Sequence, residues 1–163
     1  MNVIIRKGKK EDIPQVFALI QELAEFEKAP EQVSNTAEEL AKEGFGPNPS
    51  YRLLVAEHEE IIVGMAIYFV KYSTWKGRGL FLDDLIVTEK MRSKGIGRML
   101  LNAFLEVAGN EGAKQVHWQV LDWNTPAINF YRNIGSKIDH EWLDCKMSPD
   151  EIEAYLKKSA SSH

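Results

Sequence analysis

Arg92-Ser93-Lys94-Gly95-Ile96-Gly97 brings two glycines, two basic residues and a helix-like start together, with Arg98 adding a third positive charge. Just upstream runs an apolar strand, Leu82, Leu85, Ile86 and Val87, interrupted by Asp83-Asp84. A strand, a glycine turn and a helix start aim several backbone N–H groups at one point. The first N–H groups of a helix lack internal partners, and the helix dipole is positive there, so the nest suits a phosphate. Gly95 and Gly97 let a bulky anion reach the backbone without meeting a Cβ. Two common phosphate loops are excluded. No Lys-Ser or Lys-Thr follows either glycine, as a Walker A loop requires. A dinucleotide fingerprint needs a small residue where Leu100 stands.

A second constellation follows one helix later. Val116-His117-Trp118-Gln119-Val120-Leu121 reads as a strand. It leads into Asn124-Thr125-Pro126-Ala127-Ile128-Asn129-Phe130-Tyr131 and then Gly135. The pair R-x-x-G-x-G and N-x-x-A-x-x-x-Y-x-x-x-G, in this order, resembles the GCN5-related N-acetyltransferases, which bind acetyl-coenzyme A. The resemblance runs from about residue 3 to about residue 147. Tyr72-Ser73-Thr74-Trp75-Lys76-Gly77-Arg78, Phe81-Leu82-Asp83-Asp84 and Val120-Leu121-Asp122-Trp123-Asn124 are similar to its diamine acetyltransferase branch. So are Leu23-Ala24-Glu25-Phe26-Glu27 and Gly44-Phe45-Gly46 with Pro49. Ser73 stands where the polyamine enzymes of that branch carry an acidic residue. Y-S-T-W-K-G-R and L-D-W-N are closer to the thialysine type.

The resemblance implies a set of roles. Ser93, Lys94, Gly95, Ile96, Gly97 and Arg98, with Arg92, would hold the coenzyme's pyrophosphate. Leu85, Ile86 and Val87 would offer backbone N–H and C=O groups to its pantetheine arm. Asn124, Thr125, Pro126 and Ala127 would touch it from the second helix. Tyr131 would be the general acid that protonates the departing sulfur. Phe26, Glu27, Trp75, Asp83, Asp84, His117, Trp118, Gln119 and Trp142 would form the amine pocket. The branch also implies a homodimer.

The acids have a chemical reason to be there. An alkyl ammonium has a pKa near 10.4, so near pH 7.4 only about one amine in a thousand is free to attack, a deficit of roughly 4 kcal/mol. A carboxylate can hold the cation and accept its proton, directly or through water. Neighbouring residues on a strand point to opposite faces, so Asp83 and Asp84 are expected to have different roles. The resemblance gives the catalytic one to Asp83. A phenol of pKa near 10 is a workable donor to a thiolate near 8.5, which suits Tyr131. Direct attack is expected rather than an acyl-enzyme, because Cys145, the single cysteine, sits beside Lys146 with no sign of a paired base. That lone cysteine also excludes an internal disulfide framework. His58, His117, His140 and His163 show no metal-ligand spacing, so no metal is expected.

The 163 residues suit one domain, expected over 1–158 with a disordered tail at 159–163. A net charge of −4 and a pI near 5.6 disfavour nucleic-acid binding, which calls for a basic face. No apolar run approaches the roughly 20 residues that span a membrane, and MNVIIRKGKKED lacks a signal peptide's apolar core. A cytoplasmic location is expected. Strands are expected at 2–6, 51–57, 61–71, 80–87, 116–121 and 141–147. Helices are expected over 12–28, 37–43 and 95–110, after Asn124, and from Ser148-Pro149. Thr36 and Glu39 read as a capping box. This order predicts an α/β fold, a mixed, twisted sheet with helices on both faces. The resemblance sets six to seven strands and a splay between the two central ones. Two other functions stay open: acetylation of protein lysines or amino termini, and a non-catalytic acyl-coenzyme A module.

Overall fold

Seven consecutive buried residues, Ile62 to Tyr68, run through the middle of β3 (Ile61–Ser73). A strand reads this way when both of its faces are covered. The computed structural model describes residues 1–162, and the chain divides into two compact units, Met1–Leu121 and Asp122–His163.

The first unit holds the sheet. Its strands are β1 (Ile4–Lys7), β2 (Arg52–His58), β3, β4 (Gly77–Val87) and β5 (Val116–Trp118), in that spatial order. The first four pair antiparallel, and β5 joins β4 in parallel. Helix α1 (Ile13–Phe26) and α2 (Ala37–Phe45) cover one face. Ile13, Val16 and Leu19 of α1 and Leu40 of α2 close a core with Leu53, Val55, Met65, Ile67 and Ile86. Helix α3 (Ile96–Asn110) lies on the other face, where Phe104 meets Tyr68 edge-on at 5.2 Å. Gly64 is needed here, since a Cβ would come within 2.9 Å of the Ile86 carbonyl oxygen and 3.1 Å of Leu100.

Local chemistry explains the helix starts. Thr36 Oγ1 accepts from the Glu39 N–H at 3.2 Å, opening α2. The expected reciprocal bond from Glu39 is replaced by Asn35, whose Oδ1 accepts from the Thr36 N–H. Pro14 sits in the first turn of α1, where its missing N–H costs nothing. Gln15 then ties α1 to the sheet by accepting from the Ile62 N–H at 3.0 Å.

The second unit contains α4 (Thr125–Asn133) and α5 (Pro149–Ala160). Asn124 Oδ1 caps α4 through the Ala127 N–H, and Ser148 with Glu151 forms a full capping box on α5. Helix α5 covers Ser159 and Ala160, expected as part of the tail; His163 lies outside the described residues.

Several expectations are corrected. Among the described residues the sheet has five strands, not six or seven. Residues 141–147 form no strand: backbone becomes a strand only beside a partner, and the second unit has none among its described residues. β5 ends at Trp118 instead of residue 121, while β3 and β4 extend to Ser73 and back to Gly77, making a longer hairpin. Helix α1 stops at Phe26, because Lys28 adopts φ 62°.

Candidate functional site

The β4–β5 ladder stops at Leu82 and Trp118, but β4 continues to Val87. Five residues, Asp83 to Val87, therefore have no ladder partner on that side among the described residues, which is the expected splay. At the same point the β3–β4 register slips. Asp84 faces Ile67, and the next rung pairs Leu82 with Tyr68, so Asp83 is an extra residue in a β-bulge. Bulges re-aim side chains, and this one overturns the simple alternation expected for the two acids. Leu82, opposite Tyr68, is on the α3 side. Asp84, opposite the core residue Ile67, is on the α1 side with Ile86.

Three carboxylates converge there. Glu27 follows the last residue of α1. Burial raises the Asp83 carboxyl above its usual range. Burial first and Asp83's charge second raise Glu27. Asp84 is shifted furthest: burial, then Asp83, then Glu27 push it up to about 7. Like charges in a low-dielectric setting resist losing every proton, so the cluster calls for cations. Among the described residues no group of acids, histidines or cysteines is arranged to hold a metal.

Along the same face lies an aromatic run. Phe81 stacks on Phe69 at 5.2 Å and meets His117 edge-on at 4.9 Å. Lys71 Nζ sits 5.1 Å from the Phe81 ring centre and 3.0 Å from His117 Nδ1. An ammonium only donates, so Nδ1 accepts and the ring proton is on Nε2. Trp118 is half-buried on β5, and Gln119 follows it, exposed.

The glycine turn takes the form expected of an anion nest. Ser93 (φ 61°) and Gly95 (φ 81°) are left-handed, and α3 starts at Ile96. A Cβ on Gly97 would meet only Val87 and Leu85, at 3.8 and 4.0 Å, so its own chain does not require a glycine there. Helix α1 clamps this turn. Glu22 Oε1 accepts from the Glu89 N–H at 2.7 Å and from Arg92 at 3.5 Å, while Oε2 accepts from Thr88 Oγ1 at 3.1 Å. Arg92 also donates to the Val87 carbonyl at 3.0 Å and stacks on Phe26 at 5.0 Å. Val87's carbonyl, expected as a coenzyme contact, is thus already engaged, and Phe26 buttresses the loop.

The sequence reading missed Glu22, Lys71, Phe69 and Phe81. A signal existed for Glu22: it lies four residues before Phe26, hence on the same stripe of α1. Trp75, 88% exposed, is at the tip of the β3–β4 hairpin. Six residues separate Gly77 from Asp83, roughly 20 Å of strand, so this chain's own hairpin does not bring Trp75 to the acids.

The second unit carries the remaining candidates. Asn124 to Ala127 form the cap and first turn of α4. Tyr131 is on the same helix, half-buried, its ring 5.6 Å from Phe130, and burial raises its phenol. Trp142 is 78% exposed on an irregular segment. Cys145 is free and exposed.

Known proteins match this arrangement. A profile described as "Acetyltransferase (GNAT) family" matches residues 16–135. Thialysine N-epsilon-acetyltransferase of Bos taurus is 39% identical over 143 residues, 83% of this chain and 84% of that protein. A spermidine/spermine N(1)-acetyltransferase-like protein of Homo sapiens is 33% identical over 139 residues, 81% of this chain and 20% of that longer protein. A solved integron cassette protein from the mobile metagenome of V. cholerae shares the fold, with a TM-score of 0.78 at 20% identity, covering 96% of this chain and 99% of that one. The glycine nest and the parted strands lie within the matched segment: the chain belongs to the acetyltransferase (GNAT) family.

Proposed function

We propose that this chain transfers the acetyl group of acetyl-coenzyme A to the primary amine of a small cationic substrate, a thialysine-like amino acid, a diamine or a polyamine. The observation that carries this reading is the convergence of Glu27, Asp83 and Asp84 where β4 leaves β5. An acidic patch, exposed at Glu27 and Asp83 and half-buried at Asp84, beside a phosphate nest fits an ammonium substrate and a phosphate-bearing co-substrate.

Acetyl-coenzyme A supplies, when bound, a thioester carbon to which the amine nitrogen bonds as the carbon–sulfur bond breaks. The nest from Ser93 to Arg98 would hold its pyrophosphate, and the free edge of β4 would accept its pantetheine arm at Leu85 and Ile86. Asn124 to Ala127 would add contacts from α4. Glu27 and Asp83 would hold the ammonium by charge. Asp84, near neutrality, is suited to take one of its protons, with Asp83 acting directly or through a water as the alternative acceptor. Tyr131, kept protonated by burial, would donate to the departing sulfur and recover its proton from solvent.

The reading includes one catalytic domain over 1–158, a cytoplasmic setting and a homodimer, in which a second copy would cover Trp75 and bring Trp142 into use. No helix of the described residues is long and apolar enough to cross a membrane. The test is free-thiol release from acetyl-coenzyme A with thialysine, lysine, ornithine, putrescine, spermidine and a lysine peptide. Turnover with the small amines supports the reading. Turnover with the peptide alone would favour a protein acetyltransferase, and silence with the coenzyme still bound would favour a non-catalytic module.

A further inference from the structure

Lys71 stands out on the face that carries the acids. One of its three N–H donors goes to His117 Nδ1 at 3.0 Å, and its ammonium rests beside Phe81. Among the described residues no carboxylate pairs with it. It is a cation held in place by an imidazole and a ring, with donors to spare.

The register gives its distance from the acids. On β4, Asp84 faces Ile67 and Phe81 faces Phe69, while His117 of β5 lies beside Phe81. Three residues of strand separate Asp84 from Phe81, roughly 10 Å, shortened by the bulge between them. An acidic end (Glu27, Asp83, Asp84) and a basic end (Lys71, His117) thus lie along one face, joined by an aromatic floor. A molecule that matches both ends carries an amine at one terminus and a carboxylate at the other, spaced by a stem such as lysine's four carbons. A polyamine would put a second ammonium against Lys71.

We propose that Lys71, oriented by His117, binds the α-carboxylate of the substrate and so selects diamino acids over diamines and polyamines. This rests on the amine acetyltransferase reading and deepens it. Charge-assisted hydrogen bonds to a carboxylate are among the stronger ones, and Lys71 and His117 are both exposed, open to an incoming substrate.

The test compares substrates differing by that carboxylate alone: lysine with cadaverine, ornithine with putrescine, and thialysine with its decarboxylated analogue. In the wild type, kcat/KM should favour the amino acid of each pair. Lys71→Met should lower kcat/KM for the amino acids about tenfold or more, mostly through KM, and raise it for the diamines. Lys71→Arg should keep the preference, and Lys71→Glu should invert it. An unmoved ratio in Lys71→Met, with both substrates turned over, overturns this assignment and leaves the amine reading intact. If the wild type turns over spermidine but no member of any pair, this assignment alone falls; if it turns over neither, the amine reading falls with it.

Discussion

Asp83 and Asp84 are neighbours in β4, yet only Asp84 has a partner across the ladder, and both carboxylates bear on the same third acid, Glu27. The slip between Ile67 and Tyr68 adds one residue to β4 at the place where that strand loses β5. The bulge therefore concentrates negative charge at the mouth of the parted strands.

Asp84 gives the most specific pH prediction. Its folded-state carboxyl titrates at about 7, above its value of 3.8 as a free group. The folded state therefore holds a proton that the unfolded chain has lost, and stability falls as pH rises from about 4 to about 7. Asp84→Asn should raise Tm at pH 8 by roughly 5 °C while cutting kcat by about 10²–10³-fold. The wild-type rate should climb through pH 7 as Asp84 ionises, and Asp84→Asn should lose that limb. Differential scanning calorimetry and a pH–rate profile check both halves.

Glu22 should act at a distance from the chemistry. It holds Thr88, Glu89 and Arg92, the residues leading into the glycine nest. Glu22→Ala should raise KM for acetyl-coenzyme A about tenfold, the loss of a few hydrogen bonds, including charge-assisted ones, with a smaller change in kcat. Steady-state kinetics at saturating amine reads both. An effect on kcat alone would contradict a loop-positioning role.

Gly97 separates folding from binding. Its Cβ space is open within the chain, so Gly97→Val should fold with nearly the wild-type Tm and lose coenzyme binding in titration calorimetry. Gly95→Ala should do the reverse in part: its φ of 81° costs an L-residue about 1 kcal/mol or more in stability.

Tyr131→Phe removes only a hydroxyl. It should leave the fold and coenzyme affinity close to wild type and lower kcat by about 10²-fold, a typical contribution from one general acid. The loss should be smaller for a thioester whose thiol leaves as a more stable anion, a trend that kcat across such donors would display.

What was legible in the chain follows the range of the interactions involved. The nest at Gly95 and Gly97 is local: backbone freedom and a helix start within six residues, both readable from residue types. The cap at Asn124 and the box at Ser148–Glu151 are local too. The bulge at Asp83 was not legible, because it is decided by which residues of β3 stand opposite, and alternation alone put the two acids on opposite faces. Lys71 and His117 are 46 residues apart and meet only because β3, β4 and β5 lie side by side. The segment at 141–147 has a plausible apolar pattern, but a strand is a property of two segments, and no partner lies among the described residues of its own unit.

The central claim, a small-molecule amine acetyltransferase with acids at the mouth of the parted strands, is tested most directly by a competition. The purified protein is given acetyl-coenzyme A with equimolar thialysine, ornithine, putrescine, spermidine and a lysine peptide, and the acetylated products are identified by mass spectrometry. The account predicts N-acetylated thialysine or ornithine as the main product, absent when Asp84→Asn replaces the wild type. Acetylated peptide as the main product, or undiminished acetylation by the variant, would contradict it.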